Sequence, residues 1–306
     1  MHPVDAPPDR TLTGQALRTA AAALARLPQA SPRLEAELLL TEATGWPRAR
    51  LVAWPEAPLT PTAAAHFAAL LTRRLAGEPI AYIRGRQAFW TLDLRVTPDT
   101  LIPRPETELL VEIALELPTP DRPRLIADLG TGSGAIAAAV AVERPAWRIV
   151  AGDRSAAALA IAQSNFRTLG LAHCVPLRGD WLAPIARGAL DLILANPPYI
   201  AAADPHLVQG DLPFEPLTAL AAGPDGLDAI RDITADAMRC LRPGGLLAIE
   251  HGFAQAEAVR ALFNDQGLIN PETRRDLAGQ DRVTLGWAPP GDCGSIGSEP
   301  ENIAMP

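Results

Sequence analysis

The four residues Asn196-Pro197-Pro198-Tyr199 follow directly on an apolar run, Leu192-Ile-Leu-Ala195, that is typical of a strand buried on both faces. The two prolines end this strand because neither can donate a hydrogen bond to a neighbouring strand. The prolines also leave the backbone carbonyls of Asn196 and Pro197 as free acceptors, beside the Asn196 amide and the Tyr199 ring. Such a set could hold a planar group that carries an NH2. Taken alone, the tetrad fits equally well a structural Pro-Pro turn capped by an asparagine.

A glycine-rich turn, Gly130-Thr131-Gly132-Ser133-Gly134, lies upstream between a predicted strand and a predicted helix. Glycine lets the backbone turn tightly and approach a ligand where a Cβ atom would collide. Asp153 ends the next predicted strand, 25 residues after Asp128, where a carboxylate can accept hydrogen bonds from both ribose hydroxyls of a nucleoside. A dinucleotide-binding loop would read Gly-x-Gly-x-x-Gly, and Asp128 beside the loop would repel a pyrophosphate. The loop therefore predicts S-adenosylmethionine, which carries an amino acid and a sulfonium cation.

Asp180 and Trp181 follow the third predicted strand of this region. The carboxylate could accept a hydrogen bond from the amino group of adenine, and the indole could pack on the adenine ring. The alternative is that Trp181 is a buried core aromatic, and the sequence favours neither interpretation.

The composition predicts a globular chain of about two domains, with 306 residues of which 48% are hydrophobic and 20% charged. The net charge of -8 argues against a protein that binds nucleic acid through a basic face. All 27 basic residues are arginine, so no lysine chemistry is available. The widely spaced Cys174, Cys240 and Cys293 predict neither a disulfide framework nor a zinc site, and no metal is expected. Without a signal peptide or an apolar run of about 18 residues, the sequence predicts a cytoplasmic location and no membrane contact.

Residues 1–78 predict a small helical domain. Helical spacing of alanine and leucine covers three segments: 13–27, 32–44 and 61–76. Ser31 is the predicted N-cap of the second helix, and Gly45 and Gly77 end the second and third helices. Residues 1–10, which are polar and proline-rich, are expected to be frayed. This domain contains no catalytic constellation, so partner binding is its expected role.

Residues 79–105 predict a hairpin that links two domains, because short alternating runs replace the helical pattern. The stretch Arg104-Pro-Glu-Thr-Glu108 then leads into an apolar helix over 107–116. Glu106 and Glu108 fit two interpretations equally, either helix capping with compensation of the helix dipole or a role at the site.

Residues 106–289 predict an α/β domain with a parallel, doubly wound sheet, because strands and helices alternate. The predicted strands are 124–129, 148–152, 174–178, 190–195, 245–250 and 282–287. The predicted helices are 134–142, 155–168, 226–241 and 254–266. Arg242-Pro-Gly-Gly245 is interpreted as a turn between the third of these helices and the fifth strand. Residues 290–306 are expected to form a disordered tail.

In this order, the loop, Asp153, the Asp180-Trp181 pair and the Asn196 tetrad resemble the Rossmann-like S-adenosylmethionine-dependent methyltransferases. Further stretches are similar to the peptide chain release factor glutamine methyltransferases, and together they extend the resemblance from about residue 13 to residue 288. These stretches are the N-terminal helical domain, Pro79-Ile-Ala-Tyr82-Ile-x-Gly85, Phe89, Leu101-Ile-Pro-Arg-Pro-Glu-Thr-Glu108, Phe214-Glu-Pro-x-x-Ala-Leu220 and Gly223-x-Asp-Gly-Leu227.

The resemblance implies a role for each matching position. Residues 130–134 would hold the methionine end of the cofactor, Asp153 its ribose, and Asp180 with Trp181 its adenine. Asn196 would touch both cofactor and substrate. Residues 196–199 would grip the substrate glutamine, which in the family is the Gln of the Gly-Gly-Gln loop of class 1 release factors.

These residues also suggest how an amide nitrogen could be methylated. The Asn196 side-chain carbonyl and the Pro197 main-chain carbonyl would each accept one amide hydrogen, while Tyr199 packs against the amide. No strong base is needed, so we expect His251 and Glu215 to be structural. A nucleic-acid methyltransferase of the adenine-N6 type would use the same tetrad, but it needs a basic groove. A nucleoside-binding regulatory module is the other alternative. We expect a monomer without nucleic-acid binding.

Overall fold

The computed structural model describes residues 11–27, 31–118 and 122–291. Residues 1–10, which were expected to be frayed, therefore fall outside the described residues, as does most of the tail 290–306, which was expected to be disordered and includes Cys293. Within those ranges, no helix is both long enough and apolar enough to cross a membrane.

The N-terminal region is helical, as predicted, and contains two short helices that the sequence did not predict. Its helices are α1 (Thr13–Leu24), α2 (Pro32–Thr44), α3 (Arg48–Ala53), α4 (Pro61–Leu75) and α5 (Ile80–Arg84). The unpredicted α3 and α5 span six and five residues, too short to show a helical period. Ser31 occupies the N-cap position of α2, but its side chain makes no capping bond. Instead the Ser31 amide donates to Glu35 Oε1 at 3.3 Å.

The predicted linking hairpin is present but shorter than expected, because α5 occupies the start of the segment. Strands β1 (Arg86–Phe89) and β2 (Leu92–Arg95) pair antiparallel. A 3-10 turn, Pro105–Thr107, then leads into α6 (Glu108–Glu116).

A seven-stranded sheet forms the centre of the second domain. Its strands are β3 (Leu125–Leu129), β4 (Arg148–Asp153), β5 (Cys174–Arg178), β6 (Leu190–Ala195), β7 (Leu241–Glu250), β8 (Ile269–Arg275) and β9 (Asp281–Trp287). The order across the sheet is β5-β4-β3-β6-β7-β9-β8. Strands β3 to β7 are parallel, and β9 is antiparallel to both β7 and β8. The order reverses between β3 and β6, which is where an open α/β sheet opens a crevice for ligands.

Helices cover both faces of this sheet and form two separate cores. They are α7 (Ala135–Glu143), α8 (Ala156–Thr168), α9 (Asp228–Cys240) and α10 (Ala256–Asp265). One core joins the sheet to α6, α7 and α8, and the other joins it to α9 and α10. The Rossmann-like fold predicted from the alternating pattern is therefore confirmed.

The structure corrects the prediction for two segments of the sheet. The stretch Arg242–Gly245 is not a turn that precedes a strand, since β7 begins at Leu241. It forms an irregularity inside β7, where Leu190 pairs with Leu241 but Leu192 pairs with Leu246. Strand β8 was not predicted at all. The sheet is mixed rather than purely parallel, because β9 runs antiparallel to its neighbours β7 and β8.

The N-terminal helices contact the second domain through the end of α4. The buried Arg74 guanidinium donates to Glu35 Oε2 at 2.9 Å and to Asp211 Oδ1 of the second domain at 3.2 Å. Gly77, just after α4, packs against Phe214, and a Cβ atom on Gly77 would lie 3.2 Å from the phenyl ring. Asp211 and Phe214, which follow the Asn196 tetrad in the chain, therefore pack against the N-terminal domain.

Candidate active site

Asn196 lies at the carboxyl end of β6, a strand whose six residues are all buried between β3 and β7. The side-chain amide nitrogen of Asn196 donates to the Thr107 hydroxyl at 3.0 Å. Since this bond occupies the nitrogen, Oδ1 becomes the free acceptor of the Asn196 side chain. Pro197 is buried, whereas Asn196 and Pro198 are half-buried.

Tyr199 and Thr107 both face the Glu250 carboxylate, which ends β7 beside Asn196. The Tyr199 hydroxyl donates to Glu250 Oε1 at 3.3 Å. Burial raises the pKa of Glu250 to about 7, and the Thr107 hydroxyl and the charge of Arg282 limit the rise. Burial also raises the pKa of Tyr199 well above its ordinary value. Tyr199 therefore stays a neutral donor to Glu250 at physiological pH.

The glycine-rich turn has the left-handed backbone that glycine permits. Gly130 has a φ of +67°, and a Cβ atom there would lie 3.3 Å from the Trp181 ring. The amide of Gly132 donates to Asp153 Oδ2 at 3.0 Å, which ties the turn to the end of β4. Gly134 has a φ of +82°, and a Cβ atom there would lie 2.7 Å from the Phe166 ring. The turn needs glycine at Gly134 for packing and at Gly130 for the close approach of the indole.

Asp128 supports the glycine-rich turn from the interior of the fold and does not line the cavity. It is fully buried, and its Oδ2 accepts hydrogen bonds from the Thr131 hydroxyl at 2.6 Å and the Ala137 amide at 3.1 Å. Burial raises the pKa of Asp128 to about 6, and these two hydrogen bonds oppose the rise. Any influence of its charge on a ligand therefore acts through the turn.

A cavity of about 470 Å³ opens at the carboxyl ends of β3, β4 and β6. Its size lies within the roughly 300–1,000 Å³ of typical small-molecule sites. Nine of the predicted site residues line it: Gly130, Thr131, Gly132, Ser133, Asp153, Asp180, Trp181, Asn196 and Pro198. The other three, Gly134, Pro197 and Tyr199, do not line it. Trp181 is half-buried, and its backbone has a φ of +41°. Its side chain lines the cavity and also packs against the core that joins the sheet to α9 and α10.

Several residues without a predicted role also line the cavity. Thr107 reaches it from the turn before α6, and Asp228 and Asp232 reach it from α9. The only sequence signal for Thr107 was its place in the Arg-Pro-Glu-Thr-Glu stretch. Glu250 does not line the cavity, but it is the last residue of β7, the strand beside β6. The carboxyl ends of the strands are where ligands bind in an open α/β sheet, so this position could have suggested a role at the site.

Three of the four ionisable side chains discussed in the sequence analysis have structural contacts, and the exception is Glu106. Glu108 Oε1 accepts from the Trp90 amide at 2.7 Å, while Glu106 is exposed and does not line the cavity. His251 is fully buried between the Gly252 carbonyl and the Thr284 hydroxyl, and its burial lowers the pKa of the imidazole. Glu215, also buried, pairs with Arg104.

The described residues contain no group of three or more His, Cys, Asp or Glu side chains that could hold a metal ion. The space is instead bounded by backbone amides, carboxylates, an indole and an oriented asparagine. This donor and acceptor set suits an organic cofactor with a ribose and an amino acid.

Two family models match the chain: PrmC N-terminal domain over residues 15–85 and Methyltransferase small domain over residues 105–210. Release factor glutamine methyltransferases from Xylella fastidiosa (strain 9a5c), Pseudomonas aeruginosa and Escherichia coli (strain K12) are 51%, 49% and 48% identical to the chain. Each alignment covers 84% of this chain, and they cover 94%, 94% and 92% of those three proteins. The similarity therefore extends through the N-terminal helices and the sheet domain together.

Proposed function

The chain belongs to the release factor glutamine methyltransferase family, and on this premise we propose the reaction that its site performs. The chain is a methyltransferase that modifies the side-chain amide nitrogen (N5) of a glutamine. We propose that the glutamine is that of the Gly-Gly-Gln motif in class 1 peptide chain release factors. The proposed methyl donor is S-adenosylmethionine, with S-adenosylhomocysteine as the second product, and the modification would tune translation termination.

The observation that carries this proposal is the fixed orientation of the Asn196 side chain. Because its nitrogen donates to Thr107, its Oδ1 is left to accept a hydrogen from a substrate. An amide nitrogen is a poor nucleophile because its lone pair is delocalised into the carbonyl group. We propose that Asn196 Oδ1 and the main-chain carbonyl of Pro197 each accept one hydrogen of the substrate NH2. Two acceptors fix both the plane of the substrate amide and the direction of its nitrogen, which lowers the entropic part of the barrier.

The same two carbonyl dipoles would stabilise the positive charge that develops on the nitrogen as its new bond forms. This electrostatic contribution is largest in the transition state, so it increases turnover more than binding. A methylated amide cation loses its proton readily, and the mechanism requires no strong base. The structural contacts of His251 and Glu215 agree with that requirement.

The cavity walls are compatible with S-adenosylmethionine, which when bound would supply an electrophilic methyl group on its sulfonium. The glycine-rich turn lines the cavity and offers backbone amides to a ligand. Glycine at position 130 also leaves room for the Trp181 ring, which a Cβ atom would crowd. Asp153 keeps further acceptor capacity for ribose hydroxyls, although each of its oxygens already accepts one backbone amide. We propose that Asp180 and Trp181 bound the adenine and that residues 130–134 hold the methionine end.

We propose that the release factor contacts both domains. The N-terminal helical domain (1–78) would bind it, the hairpin linker (79–105) would join the domains, and the methyltransferase domain (106–289) would receive its loop. Apolar side chains are available on both sides: Trp54 is 55% exposed, and Leu217, which lies between two cavity-lining residues, is 62% exposed. A monomer located in the cytoplasm is the proposed working form.

Family membership favours this protein substrate over the alternative of a nucleic-acid base, although an exocyclic amine presents two hydrogens in the same way. The cavity lining also contains five carboxylates and one guanidinium, that of Arg154; the carboxylates are those of Asp99, Asp153, Asp180, Asp228 and Asp232. Such a lining repels a phosphate backbone.

The test is mass spectrometry of a purified class 1 release factor after incubation with the chain and S-adenosylmethionine. We expect one added methyl group on the Gly-Gly-Gln glutamine, and none on a control release factor in which this glutamine is replaced. A release factor that stays unmodified, although the chain binds the cofactor, would contradict the proposed substrate. Transfer to DNA or RNA in parallel reactions would then identify the alternative.

A further inference from the structure

A line of polar side chains runs from the cavity to a buried carboxylate. Asn196 lies in the cavity wall, Thr107 lies next to it, and Glu250 lies behind Thr107. The three residues come from different elements: the end of β6, the turn before α6 and the end of β7. Because Ala195 pairs with Ile249 in the parallel sheet, Asn196 and Glu250 occupy equivalent positions on neighbouring strands.

The order of donors and acceptors along this line follows from the chemistry of the Glu250 carboxylate. The Thr107 hydroxyl acts on Glu250 as a donor that lowers the pKa of its carboxyl, although no hydrogen bond within 3.5 Å joins the two groups. An ionised carboxylate can only accept, so the single proton of Thr107 turns toward Glu250. The lone pairs of Thr107 are then left to accept from Asn196, which requires the NH2 of the Asn196 amide at 3.0 Å. The opposite orientation would place Oδ1 against Thr107 and the NH2 in the cavity.

We propose that Glu250 and Thr107 are positioning residues, which keep Asn196 Oδ1 turned toward the substrate amide. The inference rests on the function proposed above, since an acceptor is useful there only if the substrate presents an NH2. With the amide reversed, Asn196 would offer hydrogens to a group that also carries hydrogens, and the substrate would lose one of its two acceptors.

Glu250 also connects this line to the other end of the tetrad. The Tyr199 hydroxyl donates to Glu250 Oε1, while Oε2 is buried and accepts no hydrogen bond within 3.5 Å from the described residues. The same carboxylate therefore restrains Tyr199 directly and lies beside the Thr107 hydroxyl, which binds Asn196. A buried carboxylate with an unpartnered oxygen reduces stability, so its presence here is better explained by orientation of the site than by stability of the fold.

The ionisation state of Glu250 determines which groups donate and which accept hydrogen bonds along this line. Its surroundings are the Thr107 and Tyr199 hydroxyls, the Arg282 guanidinium from β9 and the Glu106 carboxylate from the turn before α6. Burial raises the pKa of Glu250 to about 7, and Glu106 adds to the rise whereas Arg282 opposes it. Below that pH the protonated carboxyl can donate to Thr107, and the constraint on Asn196 is lost. Turnover is thus expected to fall on the acid side.

The first experiment removes the Thr107 hydroxyl at constant shape. In T107V we expect turnover on a release factor to fall roughly 10- to 100-fold, as expected for a misaligned reacting group. T107S keeps the hydroxyl and should recover a large part of this loss. The matched control is T234V, which deletes another buried hydroxyl that bonds only to carbonyls within its own helix. Equal turnover in T107V and T107S would overturn the proposal.

The second experiment uses the charge of Glu250. Glutamine is nearly isosteric with glutamate but does not ionise, and it can both donate and accept. We expect the wild-type chain to lose turnover as pH falls from 8 toward 6, about the pKa of Glu250. E250Q should have lower turnover at pH 8 and no such dependence between those values. An unchanged acid limb in E250Q would refute the role of Glu250.

A third measurement needs no substrate and separates the inference from the proposed function. The side-chain amide of Asn196 can be observed by ¹⁵N NMR and assigned as the signal that is missing in N196D. We expect its shift to titrate with Glu250 in the wild-type chain, and not in E250Q or T107V. If the signal titrates but no release factor is methylated, the proposed function is wrong and the network stands. If methylation occurs but the signal is the same in all three proteins, the inference is wrong.

Discussion

Asn196 and Thr107 should behave as one functional unit, and a double-mutant cycle can measure this. N196A removes one of the two proposed acceptors for the substrate amide. Deleting a comparable pre-aligned group in other enzymes lowers turnover by about 10²–10³. T107V leaves the acceptor in place but removes its restraint, so its smaller effect, about 10- to 100-fold, should depend on the presence of Asn196.

The combination of the two changes distinguishes orientation from independent action. If Thr107 acts only by orienting Asn196, then N196A/T107V should have the same turnover as N196A alone. If the two residues act independently, their effects multiply and turnover falls by about 10³–10⁵ in the double variant. The expected result is the first, with a coupling close to the whole effect of T107V.

The assay is steady-state methylation of a release factor at saturating cofactor, with turnover and KM determined separately. Each variant also needs its cofactor affinity and melting temperature, because Asn196 and Thr107 both line the cavity. The loss of their shared hydrogen bond should cost only about 0.5–1.5 kcal/mol of unfolding free energy. Wild-type turnover in N196A would refute the reasoning about the tetrad, and multiplicative losses would refute the coupling.

Three further predictions concern other parts of the fold. G134A should lower the unfolding free energy by about 1–3 kcal/mol, because the new Cβ atom would lie 2.7 Å from an aromatic ring; G45A, at a φ of +70° with open space, should cost less in the same denaturant titration. R74M should destabilise the chain by about 3–5 kcal/mol in a urea titration, because it leaves the buried Glu35 carboxylate without its partner; a smaller cost would contradict the buried ion pair. The pKa of Asp128 is raised to about 6, so ionisation should reduce stability as pH rises from about 4 to 6, by up to about 3 kcal/mol, and D128N should lack this component in melting curves over that range.

Local sequence patterns predicted the parallel strands and their helices well because each of those elements carries its own signal. Strand β6 is apolar along its whole length, as expected for a strand buried on both faces. Strand β8 lacks such a signal. It lies at the edge of the sheet, contains Pro271, and most of its residues are exposed, so neither alternation nor a hydrophobic run marks it. The interior irregularity of β7 was also missed, because a Pro-Gly-Gly run is typical of a turn.

The predicted site residues share a similar limit. The residues of the loop are contiguous in the chain, and so are those of the tetrad, so each group could be recognised from the sequence as one unit. Thr107 and Glu250 are 89 residues before and 54 residues after Asn196, and only the order of the strands brings them together. The orientation of the Asn196 amide likewise depends on Thr107, and no pattern within residues 196–199 could have predicted it.

Three neighbouring strands divide the proposed chemistry into parts that a rigid sheet keeps about 4.8 Å apart. Strand β3 leads into the proposed cofactor turn, β6 leads into Asn196, and β7 ends in Glu250. A carboxylate at the position of Asn196 would accept amide hydrogens more strongly than the asparagine does. It would also pair with a cationic cofactor in the ground state, and such pairing does not accelerate the reaction. With the charge one residue behind the wall, Thr107 can transmit its orienting effect, while a neutral carbonyl faces the substrate.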